Sequence, residues 1–166
     1  MNKLNASFRD PAGFIFTSSQ GEILRQINQI GAEEFDLMHS SGLYDTLVKK
    51  KFLIPHQEVD NVYADAYKTI KPERLPFISY PYEWSFGQLK DAALLTLYIQ
   101  KAALKKGMSL KDSSAYNVQF VSGKPVFIDT LSFEVYEEGK PWVAYKQFCQ
   151  HFLAPIALAS MTDIRT

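Results

Sequence analysis

LKDSSAYNVQFVSGKPVFID, residues 110–129, is the stretch whose reading decides the fold. It carries an aspartate (Asp112), an asparagine five positions later (Asn117) and a second aspartate (Asp129) at the end of an apolar run. VQFV and VFID flank SGKP, whose glycine and proline mark a turn, so the spacing predicts a hairpin over residues 118–129. Phosphoryl transfer asks for a carboxylate near the attacking hydroxyl and for oxygen ligands to a Mg²⁺ that bridges nucleotide phosphates. A loop bearing Asp112 and Asn117, followed by a tight hairpin, returns Asp129 close to both. The plain alternative is that Asp112 and Ser113 form a turn, Asn117 starts a strand and Asp129 caps a turn after one.

Upstream, Ser85 and Gln88 make a capping box, in which each side chain satisfies a backbone N–H of the other. Over residues 88–106, Leu89, Ala92, Ala93, Leu94, Leu95, Leu97, Ile99, Ala103 and Leu104 cover most of a helix circumference, which predicts a helix buried on several sides. Lys105, Lys106 and Gly107 supply a cationic last turn and a glycine stop, so this helix delivers the chain directly into the Asp112 loop. Downstream, LSFEVY reads as a strand and EEGKP as a turn. WVAYKQFCQHFLAP reads as a helix that Pro155 ends or kinks. IALASMTDIRT reads as the start of another helix without a partner, so the chain is expected to be a fragment of something longer.

Towards the N-terminus, GFIF, TSSQG and EILRQIN read as two strands joined by a polar turn. Residues 32–51 space Phe35, Leu37, Met38, Leu43, Leu47 and Val48 as two short helices broken at residues 40–42. AYKTI and LPFISY read as further strands separated by KPER, the second ended by Pro81. The aromatics Phe77, Tyr80, Tyr82, Trp84 and Phe86 are expected to pack in the core and at its edge rather than to form a stacking platform. His39 and His56 read as isolated histidines, satisfied or exposed.

Composition excludes several classes of function. The chain has 166 residues, 46% of them hydrophobic and 22% charged, which fits one globular domain with a real core. Lysine plus arginine and aspartate plus glutamate number 18 each, so no basic field exists to hold nucleic acid. The lysine run at residues 49–51 reads as a solvated helix end. A single cysteine, Cys149, precludes an intrachain disulfide and suits a reducing compartment, and beside His151 it reads as a buried helical thiol rather than a metal ligand. The first residues lack the apolar core of a signal peptide and no run is long enough to span a membrane, so the expected location is cytoplasmic.

The loop KDSSAYN after a long helix, and FID after a hairpin, resemble the catalytic loop and metal-binding aspartate of the protein-kinase-like fold, in the shorter version of aminoglycoside and choline phosphotransferases. The resemblance implies that Asp112 is the base, that Asn117 and Asp129 are metal ligands and that Lys111 stabilises transferring phosphate. Mg²⁺ and ATP are the implied ligands. The sequence also departs from that pattern. Leu110 and Lys111 stand where His-Arg or His-Gly is usual, Thr130 and Leu131 follow Asp129 in place of Phe-Gly, and DPAGF has one glycine where a glycine-rich loop is usual. Without a Val-Ala-Ile-Lys strand, Arg25 or Lys68 is left as the cation for phosphates, paired with Glu33 or Glu34.

A second resemblance covers nearly the whole chain. SFRDPAGFIF, SGLYDTLV, LIPHQEV, KPERLPFISYPYEWSFGQLKDAALLTL, LKDSSAYNVQF, PVFIDTLSFE and PWVAYKQFCQHFLAP resemble the region before the methyltransferase domain in bacterial class I S-adenosylmethionine-dependent methyltransferases, some described as nodulation-protein-like. This implies a parent protein with methyltransferase activity whose cofactor domain lies further C-terminal, since nothing here has the glycine-rich turn of a Rossmann site. The expected fold is therefore α+β, an abbreviated kinase-like module over residues 1–166, with residues 1–82 N-lobe-like and 83–166 C-lobe-like. Its expected role is an accessory module that binds substrate or nucleotide in a degenerate Mg-nucleotide pocket. The alternatives are an active small-molecule phosphotransferase and a non-catalytic scaffold. The expected partners are a small molecule or the parent's own methyltransferase domain, with no nucleic acid and no membrane.

Overall fold

The computed structural model describes residues 2–3 and 10–162. Five antiparallel strands form the N-terminal sheet: β1 (Asn2–Lys3), β2 (Gly13–Thr17), β3 (Ile23–Asn28), β4 (His56–Val59) and β5 (Ala66–Pro72), in the order β1-β2-β3-β5-β4. β3 lies at the centre, and Leu24, Arg25, Gln26 and Ile27 are all buried, so both faces of this strand are covered. Helices α1 (Ala32–Ser40) and α2 (Leu43–Lys49) break at Gly42, whose φ of +72° suits a residue without Cβ.

The predicted helix is α3 (Phe86–Leu104), entered through the expected capping box: Gln88 N–H donates to Ser85 Oγ at 3.3 Å and Ser85 N–H to Gln88 Oε1 at 3.0 Å. It buries one face rather than several. Ala92, Leu95, Ile99 and Ala103 are buried at helical spacing, while Leu94, Leu97 and Tyr98 are exposed. On the buried face Gln100 is committed to the next strand, accepting from Leu110 N–H at 2.7 Å and donating to Ser109 Oγ at 3.0 Å. That strand, β6 (Met108–Leu110), pairs with β9 (Phe133–Val135), and β7 (Val118–Val121) pairs with β8 (Lys124–Phe127) in the predicted hairpin.

Four further expectations are corrected. LPFISY is no strand; Pro76 and Pro81 limit its backbone donors, and Ser79 N–H is bound by the Gln119 side chain at 2.9 Å. The strand that completes the sheet beside β5 is instead β4. The aromatic cluster is mostly outside the core: Phe77 and Tyr82 are 70% and 75% exposed, Tyr80 and Tyr82 stack on each other, and Trp84 alone reaches inward to Phe120. Pro155 does not end the last helix; α4 (Tyr145–Phe148) passes through a π-helical turn (Cys149–Leu153) into α5 (Ala154–Met161), and the proline sits in the first turn of α5. His39 and His56 are not isolated. Their rings lie 5.4 Å apart in a cluster with Phe35 and Tyr44, and burial lowers both pKa values, that of His56 to about 4. The end of IALASMTDIRT lies outside the described residues.

Two cores result. The larger joins α2, α3, the two hairpin-like strand pairs and the C-terminal helices, with Leu43, Leu47, Ile99, Phe127, Phe133 and Phe152 fully or almost fully buried. The smaller sits under the sheet and holds Ala12, Ile27, Phe35, Ile70 and Leu131. Leu131 follows Asp129 by two positions and is thus the plug that carries the C-terminal half into the sheet. Gly13 is shaped to receive it: a Cβ there would meet Leu131 Cδ1 at 2.7 Å and Gln26 O at 2.2 Å.

Candidate functional site

β-hairpin register brings Asn117 and Asp129 together. Val118 pairs with Phe127, and one step beyond that pair Ile128 N–H donates to Asn117 O at 2.8 Å. The β6–β9 pairing does the same for the loop, because Lys111 N–H donates to Ser132 O at 2.8 Å. Ser132 also receives Asn117 Nδ2 at 3.1 Å through its hydroxyl. Asp112, Asn117 and Asp129 are therefore held around one short segment, residues 129–132.

Each of the three already has internal partners. Asp112 Oδ1 accepts Ser114 N–H at 2.8 Å, an Asx turn that opens the loop. Asn117 is used as above. Asp129 Oδ1 accepts Leu131 N–H at 2.9 Å and Arg25 Nη1 at 2.5 Å. Burial by itself would raise the Asp129 carboxyl, but Arg25, then the Leu131 N–H and the Ser132 hydroxyl, outweigh it and hold the group below the ordinary carboxylate range. It stays ionised.

Arg25 comes from the centre of β3 and crosses from the sheet to the hairpin end. Its other nitrogen, Nη2, lies 3.5 Å from Asp10 Oδ2, and Asp10 is positioned by accepting Ala12 N–H at 2.9 Å. The guanidinium is thus shared between two carboxylates, while its buried Nε has no partner among the described residues. This corrects the expected pairing with Glu33 or Glu34. Lys68 is also elsewhere, in an exposed pair with Glu58 at 2.7 Å on the sheet edge. The charge of Lys111 acts on Glu134 of β9, whose carboxyl is raised first by burial.

The loop is braced from the C-terminal helices. Gln147 Oε1 accepts Ser113 N–H at 2.7 Å, and Ser113 Oγ donates to Ala144 O at 2.9 Å. His151, in the π-helical turn, accepts Ala115 N–H on Nδ1 at 3.2 Å, with Ser114 Oγ 3.3 Å from the same atom. That assigns its proton to Nε2. Asp10, Ser132, Gln147 and His151 were not foreseen. Asp10 stands in DPAG, where the visible signal was the glycine, and the helix residues carry no local signal of a partner more than thirty positions away.

Oxygen donors suit a hard cation such as Mg²⁺, which takes one or two carboxylates together with phosphate and water. Among the described residues no three of histidine, cysteine, aspartate and glutamate are grouped to hold a metal by themselves. Asp129 and Asn117 carry oxygens of that type, and both side chains already hold partners within the chain. No described helix is long and apolar enough to cross a membrane.

Comparison with known proteins agrees with this architecture. The chain is 38% identical over 167 residues to Nodulation protein NoeA of Rhizobium meliloti (strain 1021), a match that covers 98% of this chain and 34% of NoeA. The chain thus spans about a third of the length of the curated relative it matches. Among solved structures it is similar to vaccinia related kinase 3, with a TM-score of 0.51 and 14% identity over 84% of this chain and 50% of the kinase. The fold is kinase-like, with a small antiparallel sheet and a helical half. No family model matches the chain.

Proposed function

We propose that this chain is an accessory kinase-like module of a longer, methyltransferase-type protein, with a degenerate Mg-nucleotide pocket at the residues 129–132 segment. The observation that supports the reading is that the Arg25 guanidinium, the cation the kinase-like resemblance offers for phosphates, is bound instead by both Asp129 and Asp10. In this reading Asp129 and Asn117 offer oxygens to Mg²⁺, the Arg25 guanidinium holds Asp129 in place, and Asp112 keeps the loop shaped. The similarity to a stretch of NoeA supports attachment to a further domain, which would bind S-adenosylmethionine. Its position C-terminal to this module, the methyl acceptor and a cytoplasmic location belong to the proposal.

A working small-molecule phosphotransferase is the second reading, favoured by the convergence of Asp112, Asn117 and Asp129 around Ser132, with Asp112 as base and Lys111 beside it. Calorimetric titration with Mg-ATP separates the readings. The accessory module should bind nucleotide weakly, in a magnesium-dependent way that Asp129→Asn reduces, without transferring phosphate. No heat and no melting shift at millimolar nucleotide would remove the pocket, and magnesium dependence unchanged in Asp129→Asn would remove Asp129 from it. Phosphate transfer lost in Asp112→Asn would establish the second reading.

A further inference from the structure

A groove of about 790 Å³ lies apart from the Asp112 and Asp129 residues and shares none of them. Its wall is the face of α3 turned away from the core, where Leu94 and Tyr98 are 52% and 58% exposed. Its floor is the chain after α2, which runs parallel beside β8: Ile54 N–H donates to Phe127 O at 2.9 Å and Phe127 N–H to Phe52 O at 2.8 Å. The volume falls within the range of small-molecule sites, about 300–1,000 Å³. An apolar wall alone would not name a ligand.

The charges do. Lys50, Lys51 and Lys124 line the groove, and none has an ion-pair partner among the described residues. The parallel bridge between Leu53 and Phe127 sets Lys51 and Lys124 at the same end of the floor, since both precede that bridge along parallel segments. Lys50 Nζ lies 5.9 Å from the Phe52 ring and 6.0 Å from the Tyr98 ring, which keeps a third cation over the apolar wall. Glu73 and Asp91 also line the groove and set its net charge at one positive unit.

Lys51 adds a further observation. α2 ends in a Schellman motif, with Phe52 N–H bonded to Leu47 O and Lys51 N–H to Val48 O, both at 2.9 Å. The residue at its left-handed position is ordinarily glycine; here it is Lys51, with φ +59°. The other non-glycine residue with positive φ among those described, Ser122, is explained by the Ser122-Gly123 turn of the hairpin. A lysine held in a glycine conformation costs stability and places a cation at the groove.

We propose that this groove binds a small amphiphile with an apolar body and one anionic group, a carboxylate or a phosphate, at the Lys51 and Lys124 end. The test is calorimetric titration with octanoate, octan-1-ol and octylammonium below their aggregation concentrations. Octanoate should bind at one site, more tightly than octanol, and octylammonium least. Leu94→Asp, at a half-exposed position, should leave melting nearly unchanged and weaken octanoate about tenfold. Lys51→Gly should raise the melting temperature while weakening octanoate about threefold, a trade that a purely structural lysine would not show. The proposal is overturned if none of the three binds, if octylammonium matches octanoate, or if Leu94→Asp leaves octanoate binding unchanged. A dimer that Leu94→Asp dissolves, with no octanoate binding, assigns the groove to a second copy of the chain and overturns it equally.

Discussion

The two ends of residues 110–129 are anchored by different physics. The Asp112 end is tied to the C-terminal helices through neutral hydrogen bonds, from Ser113 N–H to Gln147 and from Ala115 N–H to His151. The Asp129 end is tied to the N-terminal sheet through charge, by Arg25 to Asp129, and through burial, by Leu131 in the smaller core. Neutral bonds shape a loop locally and cost less than a buried charge when one is removed. A partly buried ion pair across two halves of a fold leaves an uncompensated charge when it is cut, so the same stretch should respond very unequally to mutation at its two ends.

The comparison is tested most severely at Arg25. Arg25→Ala strands the Asp129 carboxylate and should cost about 3 kcal/mol, on the order of 10 °C in thermal unfolding. The folded-state pKa of Asp129 lies below its ordinary 3.8, so the stabilisation is complete above that pH and disappears as pH falls through the folded value. Denaturation curves of the wild type and Arg25→Ala should therefore converge as pH falls through that folded value; parallel curves would detach the effect from Asp129. His56 acts in a different window. Its pKa is depressed from 6.5 to about 4 because burial disfavours the charged ring, with His39 adding to this, so the fold loses stability as pH falls from 6.5 to 4. His56→Phe should flatten that segment, by about 2 kcal/mol after allowance for partial exposure.

Gln147→Ala, at the other end, leaves the buried Ser113 N–H without its acceptor and should cost about 1.5 kcal/mol in chemical unfolding. Asp112→Ala removes one Asx-turn bond and should cost about 1 kcal/mol. A loss at Asp112 as large as that at Arg25 would erase the distinction between the ends.

The capping box of Ser85 and Gln88, the break at Gly42 and the Ser122-Gly123 turn were legible because each is a local rule in which neighbouring residues satisfy one another. The hairpin and the long helix followed, and with them the placing of Asp112, Asn117 and Asp129. LPFISY failed because its apolar pattern imitates a strand while its prolines and the Gln119 amide remove the backbone donors a sheet would use. Lys68 failed for another reason. Both it and Arg25 lie on paired strands, and alternation alone does not say which side chain meets the hairpin and which meets Glu58.

By itself the sequence determined the periodic elements, the turn chemistry and the order of oxygen-bearing side chains around the hairpin, since these depend on residues a few positions apart. Tertiary structure decided how those side chains are spent. Asp10, 119 positions from Asp129 by number, meets it across one guanidinium, and Lys51 and Lys124 come to line the same end of a groove that no local pattern encodes. Such meetings follow from which buried surfaces close on one another, and that choice is made by the whole chain when it packs Leu131 under the sheet and α3 behind the hairpin.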